Sequence, residues 1–219
     1  MAVKAKTNNR VADVVGESQS KIQIPALALA QFDVTIEGLT PLITHKFDEK
    51  VQKQIEDKQQ QKATQRKQEK RNPKAEYLAA CYVMPSCKYK AGHAECRYGF
   101  PANGIKSSAV SACRYTDLAM TVSRGVFFVL PQDGQLVEVK FGKMEMVKDS
   151  VRLPNKSGDI RYRPYFYDWS ITFRIEYNTA VISPSQIVNL LNNAGFGVGI
   201  GDWRPETKGV NGRFRVKTT

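Results

Sequence analysis

Histidine is nearly absent from this chain: His45 and His93 are the only two in 219 residues. They are far apart, so the paired His-x-x-x-His of a metalloprotease is missing, and so is the P-loop signature Gly-x-x-x-x-Gly-Lys-Ser/Thr. A metal-dependent nuclease needs clustered carboxylates, and near the most distinctive motif the sequence offers only Asp202 and Glu206. No run of about 18 apolar residues occurs, so no transmembrane span is expected. The start, Met1-Ala2-Val3-Lys4-Ala5-Lys6, lacks the apolar core of a signal peptide. A cytoplasmic location follows, and Cys81, Cys87, Cys96 and Cys113 are then expected as thiols rather than disulfides. Cys87, His93 and Cys96, with Cys81 as a fourth ligand, have donors that suit tetrahedral zinc. Buried or merely exposed thiols are the alternative, and no other cofactor is expected.

Acidic residues are also short in supply. Lys and Arg number 33 against 21 Asp and Glu, a net charge of +12 with a sequence pI near 9.6. Such a surplus points to a polyanion, an acidic membrane surface or acidic protein neighbours.

Residues 1–22 show little periodicity and read as a loose arm, one that orders against a neighbour. Residues 23–219 read as a single domain. Phe32-Asp33-Val34-Thr35-Ile36-Glu37 alternates with period two and predicts the first strand, and Pro41 bars regular pairing after it. Residues 46–76 hold ten basic and six acidic residues with few apolar ones. Propensity favours a protruding helix, with a disordered flap or solvated linker as the alternative. A strand is expected over 79–84, an irregular insertion over 85–99 and a helix over 101–120. Val126 to Leu130 and Leu136 to Phe141, separated by Gln132-Asp133-Gly134, predict a hairpin. Further on, Lys156, Arg161 and Arg163 alternate with Tyr162 and Tyr165, a pattern that suits a nucleic-acid surface or a half-buried aromatic strand. Trp169 to Tyr177 is a strong strand with Trp169, Ile171, Phe173, Ile175 and Tyr177 on one face.

The chain ends on its most distinctive stretch. Ser183 and Pro184 open a helix, Ile187, Leu190, Leu191 and Ala194 give it an apolar stripe, and Gly195 falls where a C-cap glycine is expected. Gly195, Gly197, Gly199 and Gly201 then alternate with apolar residues, followed by Asp202-Trp203-Arg204-Pro205 and by Gly209, Gly212, Arg213 and Arg215. Pliable backbone, one large aromatic and several cations suit a phosphate backbone with exposed bases. The alternative is a buried turn with Trp203 in the core. Stripped of insertions, the order strand, helix, strand, strand, helix, strand is the split βαβ plan. This predicts an α+β, ferredoxin-like core with a long charged insertion and a β-rich insertion, and one sheet face left open.

Gly38-Leu39-Thr40-Pro41-Leu42 after the first strand, and a glycine-rich loop between the last helix and a Gly-Arg-Phe strand, resemble the repeat-associated RNA-binding superfamily of CRISPR systems. The resemblance implies ferredoxin-like domains and a glycine-rich loop that contacts RNA phosphates. The matching positions are Gly197, Gly199, Gly201, Gly209 and Gly212, with Arg213 beside them. The Asp202-Trp203-Arg204-Pro205-Glu206 segment departs from the basic, small residues usual there. The chain is also similar in general look to proteins of tailed bacteriophages, which implies a phage setting and no activity.

The resulting expectation is a non-enzymatic binder of single-stranded RNA or DNA, cooperative or filament-forming and homo-oligomeric. Tyr162, Tyr165 and Trp203 are its candidate stacking residues. Lys156, Arg161, Arg163, Arg204, Arg213 and Arg215 are its candidate backbone contacts. The alternatives are a structural protein assembling through its arm and basic flap, and an inhibitor or decoy of a host nucleic-acid machine. His45 is a conceivable general base for RNA cleavage, with a polar residue at a strand exit as the plainer reading.

Overall fold

Alternating apolar residues build most of the observed strands, and they do so on one shared face. The computed structural model describes residues 26–47, 49–60, 70–152 and 158–217; the arm over 1–22 and Lys156 lie outside the described residues. In chain order the elements are β1 (Leu29–Gly38), β2 (Leu42–Ile43), α1 (Glu49–Gln59), α2 (Pro73–Ala79), β3 (Tyr98–Pro101), α3 (Ala102–Ala112), α4 (Met120–Val126), β4 (Phe127–Leu130), β5 (Leu136–Lys140), β6 (Lys143–Arg152), β7 (Gly158–Tyr167), β8 (Ser170–Asn178), α5 (Pro184–Gly197) and β9 (Phe214–Val216).

β1 lies antiparallel between β8 and β9, and β8 carries β4 and β5 on its far side, with β3 beyond β5. The order β9-β1-β8-β4/β5, with α3 and α5 as the crossovers, is the ferredoxin-like plan. The chain is α+β. Val34 and Ile36 of β1, Ile171, Phe173 and Ile175 of β8, and Phe127 of β4 are buried. They pack with Ile105, Ala109 and Ala112 of α3 and Ile187, Leu190, Leu191 and Ala194 of α5. α5 begins on a full capping box: Gln186 N donates to Ser183 Oγ and the Gln186 side chain accepts from Ser183 N. Trp169 fills the end of this core and donates Nε1–H to the Thr40 carbonyl at 2.8 Å.

A second, three-stranded sheet, β2-β7-β6, joins β6 and β7, inserted between β5 and β8, to the short strand that follows β1. α2 packs on β7, where Arg71 reaches Asp159 Oδ1 at 3.0 Å and the Ile160 carbonyl at 2.6 Å. α1 stands apart: none of its described side chains is buried, and Ile55 faces water.

Several expectations are corrected. β4 and β5 do not form a hairpin; both run along the same edge of β8, which they pair at Arg174–Tyr177 and at Ser170–Ile171. The Gln132-Asp133-Gly134 turn is a local excursion, and Gln132 plugs the gap it leaves. Its Nε2 donates to the Thr172 carbonyl at 2.8 Å and its Oε1 accepts from Glu138 N at 2.8 Å. Residues 79–84 contribute only an isolated bridge, Val83 to Tyr98. The helix over 101–120 stops at Ala112 and passes through a 3₁₀ turn before α4.

Gly195 does not end α5, which runs on to Gly197. A β-carbon at Gly195 would overlap the carbonyl oxygen of Phe214, so this glycine lets helix and strand touch. Gly195→Ala is expected to lower stability by about 2–3 kcal/mol. Gly125→Ala, where an added methyl group meets nothing within 4 Å, is expected to raise it by about 0.5 kcal/mol through helix propensity. Urea unfolding of both variants checks the pair.

Candidate functional site

The glycine-rich segment folds as a closed loop held by backbone hydrogen bonds within itself and to residues 41–43. Ile200 N donates to the Gly212 carbonyl, Gly212 N to Pro41, Asn211 N to Trp203, Gly209 N to Arg204, and Asp202 N to Ile43, all at 2.8–3.0 Å. Gly199, Gly201 and Gly212 have φ of +73°, +78° and +66°, which L side chains rarely adopt. A β-carbon at Gly209 would overlap the Trp203 carbonyl, and one at Gly197 would come to 2.9 Å from the Tyr115 ring. The N–H groups of Gly199, Gly209 and Gly212 are used inside the protein, so these three glycines shape the loop rather than offer donors to a phosphate.

Trp203 is what this loop presents. It is 47% exposed and sits at φ +54°, a left-handed conformation that is costly for a bulky residue. Directly before it, Asp202 accepts from Arg163 Nη1 at 2.8 Å. Arg163 is only 1% exposed and sits between two carboxylates: its Nε donates to Asp149 Oδ2 on β6 at 3.0 Å, while its Nη2 lies 2.8 Å from the same oxygen without hydrogen-bond geometry. The Arg163 guanidinium lies 5.8 Å from the centre of the Trp203 ring. Tyr165 donates its hydroxyl to Asp149 at 3.0 Å, and burial, followed by the Asp149 charge, pushes its phenol up to about 12.

The sequence-predicted residues therefore separate. Arg163 and Tyr165 belong to a buried clamp between ribbon and loop. Alternation along β7 puts Arg161 on their face, 3.6 Å from Asp159, and Tyr162 on the opposite face, across from Lys148. Arg204 pairs with Glu206 at 2.8 Å, and Arg215 pairs with Glu37 at 2.6 Å on the outer face of the first sheet. Among the five described arginines of the predicted set, Arg213 has no carboxylate partner; it lies 5.3 Å over the ring of Phe196, which is 73% exposed. The open sheet face, expected as a nucleic-acid platform, is a polar surface paired within itself through Asp33–Arg174, Thr35–Thr172 and Gln31–Glu176.

Beside the loop, a cleft of about 270 Å³ opens toward α3 and the exit from β2. Its walls include His45, Tyr82, Phe100, Ser107, Ser111 and Arg204. Ser108 donates to the Gly199 carbonyl at 2.8 Å and fixes the loop to α3. Tyr82, Phe100 and the serines carry no site signal in the sequence beyond the run Ser107-Ser108-x-x-Ser111, which reads equally as close packing. Glu206 bridges Arg204 and Arg114, both at 2.8 Å. Burial works to raise its carboxyl, but hydrogen bonds from Arg204 and Ser111 and the two arginine charges outweigh it and hold the group below its ordinary value.

Among the described residues no three His, Cys, Asp or Glu side chains converge on a possible ion. His93 stacks on Tyr89 at 4.2 Å and its Nδ1 accepts from Glu95 N. Cys81 is buried, donates to the Tyr77 carbonyl, and has its thiol pushed up to about 12 mainly by burial. Cys96 is buried as well, and hydrogen bonds from the backbone of Arg97 and Tyr89 draw the Cys87 thiol down. No described helix is long and apolar enough to cross a membrane.

No protein-family model and no curated protein matches the chain. Among solved structures it is similar to the crystal structure of Cmr6 from Pyrococcus furiosus, at 10% identity over 88% of this chain and 100% of that chain, with a TM-score of 0.40. Neither the fold nor the function rests on a likeness of that strength.

Arg163→Ala leaves Asp149 and Asp202 without their shared cation, Asp149 keeping only the Tyr165 hydroxyl. It is expected to cost roughly 3–5 kcal/mol, as breaking a buried ion pair does, read as a fall in the thermal midpoint. Glu206 gives a pH signature. Its folded-state pKa is depressed, so its contribution is present above the unfolded value near 4.5 and is lost as pH falls through the lower folded value. Glu206→Gln is expected to flatten that part of the acid limb of a stability–pH profile.

Proposed function

We propose that the chain is a non-enzymatic binder of single-stranded nucleic acid, and that the strand runs over the rim formed by the glycine-rich loop and its cleft. One observation carries this reading: Trp203 is held half exposed, at positive φ, on a loop fixed by backbone hydrogen bonds. An unfavourable backbone conformation that turns a large aromatic toward water is what a stacking platform requires. Lys208 and Arg213 flank it on the same segment, and the serine hydroxyls of the cleft supply neutral donors for phosphate or sugar oxygens.

The charge distribution supports the same reading. Asp33, Glu37, Asp149, Asp159, Asp202 and Glu206 are all paired with arginines. The surplus behind the +12 charge therefore rests largely on lysines, and Lys53, Lys58, Lys70, Lys74, Lys88, Lys90, Lys208 and Lys217 are exposed. Lysines act on phosphate as point charges, which gives salt-dependent affinity with little sequence preference. Asp202 and Glu206, the carboxylates beside the cleft, are tied to arginines, and that supports binding rather than turnover. Assembly as a homo-oligomer along the strand, in a phage setting, completes the proposal. A protein-interaction role is the second reading, favoured by the exposure of Phe196 and of Val210, the latter at 68%.

Purified, nuclease-treated protein should bind fluorescent single-stranded RNA or DNA more tightly than duplex DNA, and lose at least tenfold in affinity between about 50 and 200 mM salt. Trp203→Ala should weaken binding by roughly 5- to 150-fold, the range for one lost stacking contact, while its thermal midpoint stays near that of the parent. Absence of binding to every probe would remove this proposal and leave the interaction role.

A further inference from the structure

The insertion between Met84 and Arg97 contains two turns that each end on a cysteine. Cys87 N donates to the Met84 carbonyl at 2.9 Å, and Cys96 N to the His93 carbonyl at 3.1 Å. The two ends of the insertion are tied together: Met84 N donates to the Arg97 carbonyl at 3.0 Å, and Arg97 Nη2 to Ser86 Oγ at 2.7 Å. Both sulfurs are thereby brought to the same pair of residues. Arg97 N donates to Cys87 Sγ at 3.2 Å, and the Arg97 carbonyl lies 3.9 Å from Cys96 Sγ. Tyr89 likewise turns its N–H to Cys87 and accepts from Cys96 Sγ at 3.6 Å. The Cys96 thiol also donates to the Cys87 sulfur. Cys87 is half-buried and surrounded by donors, which favour a thiolate, whereas Cys96 is buried, which favours the thiol.

We propose that Cys87 and Cys96 are a peroxide-reactive thiol pair, which closes residues 87–96 with a reversible disulfide. An accessible sulfur that accepts N–H groups, beside a second thiol able to resolve it, is the arrangement such chemistry needs. The Cys87 thiolate attacks one oxygen of hydrogen peroxide. An S–O bond forms, the O–O bond breaks, and the other oxygen leaves as water with the proton that Cys87 had given up. The Cys96 sulfur then attacks the Cys87 sulfur, so that S–S forms and S–O breaks, and its proton leaves with that oxygen as a second water. Two thiols and one hydrogen peroxide thus give one disulfide and two waters, with two electrons passing from sulfur to peroxide. Cys81 and Cys113 stay outside this step: both are buried, and each donates to the carbonyl one helical turn before it, Tyr77 and Ala109. The inference goes beyond the binding proposal and does not depend on it.

The test exposes the full-length, fully reduced protein to a small molar excess of hydrogen peroxide, blocks remaining thiols with N-ethylmaleimide, and maps the products by mass spectrometry. A single link within one chain, Cys87 to Cys96, is expected, and dithiothreitol should reverse it; Cys81 and Cys113 should be recovered as thiols. Cys87→Ser should slow thiol loss by about tenfold or more, because the attacking sulfur is gone. Cys96→Ser should leave Cys87 as a sulfenic acid that dimedone traps. If that variant fails to fold, since Cys96 is buried, the parent and Cys87→Ser decide alone. A parent that keeps its four free thiols, a link through Cys81 or Cys113 or between two chains, thiol loss in Cys87→Ser at the parent rate, or no trapped sulfenic acid in folded Cys96→Ser would each overturn the proposal.

Discussion

The arrangement around the cleft depends on one buried cation. Arg163 sits on β7, and its guanidinium is shared between Asp149 of β6 and Asp202 of the glycine-rich loop. Taking these charges out of water costs several kcal/mol per ion, so the cluster holds only while all three members are in place. Asp202 is also anchored through its backbone to Ile43 of β2, itself paired with β7. Loop, short strand and ribbon therefore form one body, and Trp203, the next residue, inherits its position from them. The segment that looks most pliable in sequence is fixed at both the backbone and the side-chain level.

Charge is divided by residue type. Arginines with bidentate or paired geometry neutralise the carboxylates within the fold: Arg174 with Asp33, Arg204 and Arg114 with Glu206, Arg71 with Asp159 and Glu76. Lysines carry the remaining surplus into water. The open sheet face is neutralised pair by pair and offers a polyanion little net charge, whereas the loop rim keeps Lys208 and Arg213 without a carboxylate partner among the described residues.

Much of the core was legible because burial leaves a period in the sequence. β1 and β8 alternate with period two, and α5 announces itself through Ser183, Pro184 and its apolar stripe. β4 and β5 were legible as strands and not as partners, because a turn signal reports a change of direction and not where the chain returns. Gly195 is ambiguous in the sequence because helix-ending and close packing call for the same residue; only the position of Phe214 tells them apart. The candidate site was legible in part. Trp203 and the glycines stand out by composition, but Arg163 looks like any surface cation of an alternating strand until Asp149 and Asp202 are brought to it. Tyr82, Phe100 and the α3 serines come from separate parts of the chain and carry no shared pattern.

The central claim is that a nucleic-acid strand lies on the glycine-rich rim and not on the open sheet. Photo-crosslinking of 4-thiouridine-substituted single-stranded RNA, with the attachment sites mapped by mass spectrometry, tests it most directly. Crosslinks at Trp203 and its neighbours over 196–213, with others at Tyr82 in the cleft, are the predicted result. Crosslinks confined to the outer sheet face, around Phe128, Thr172 and Arg174, would contradict it.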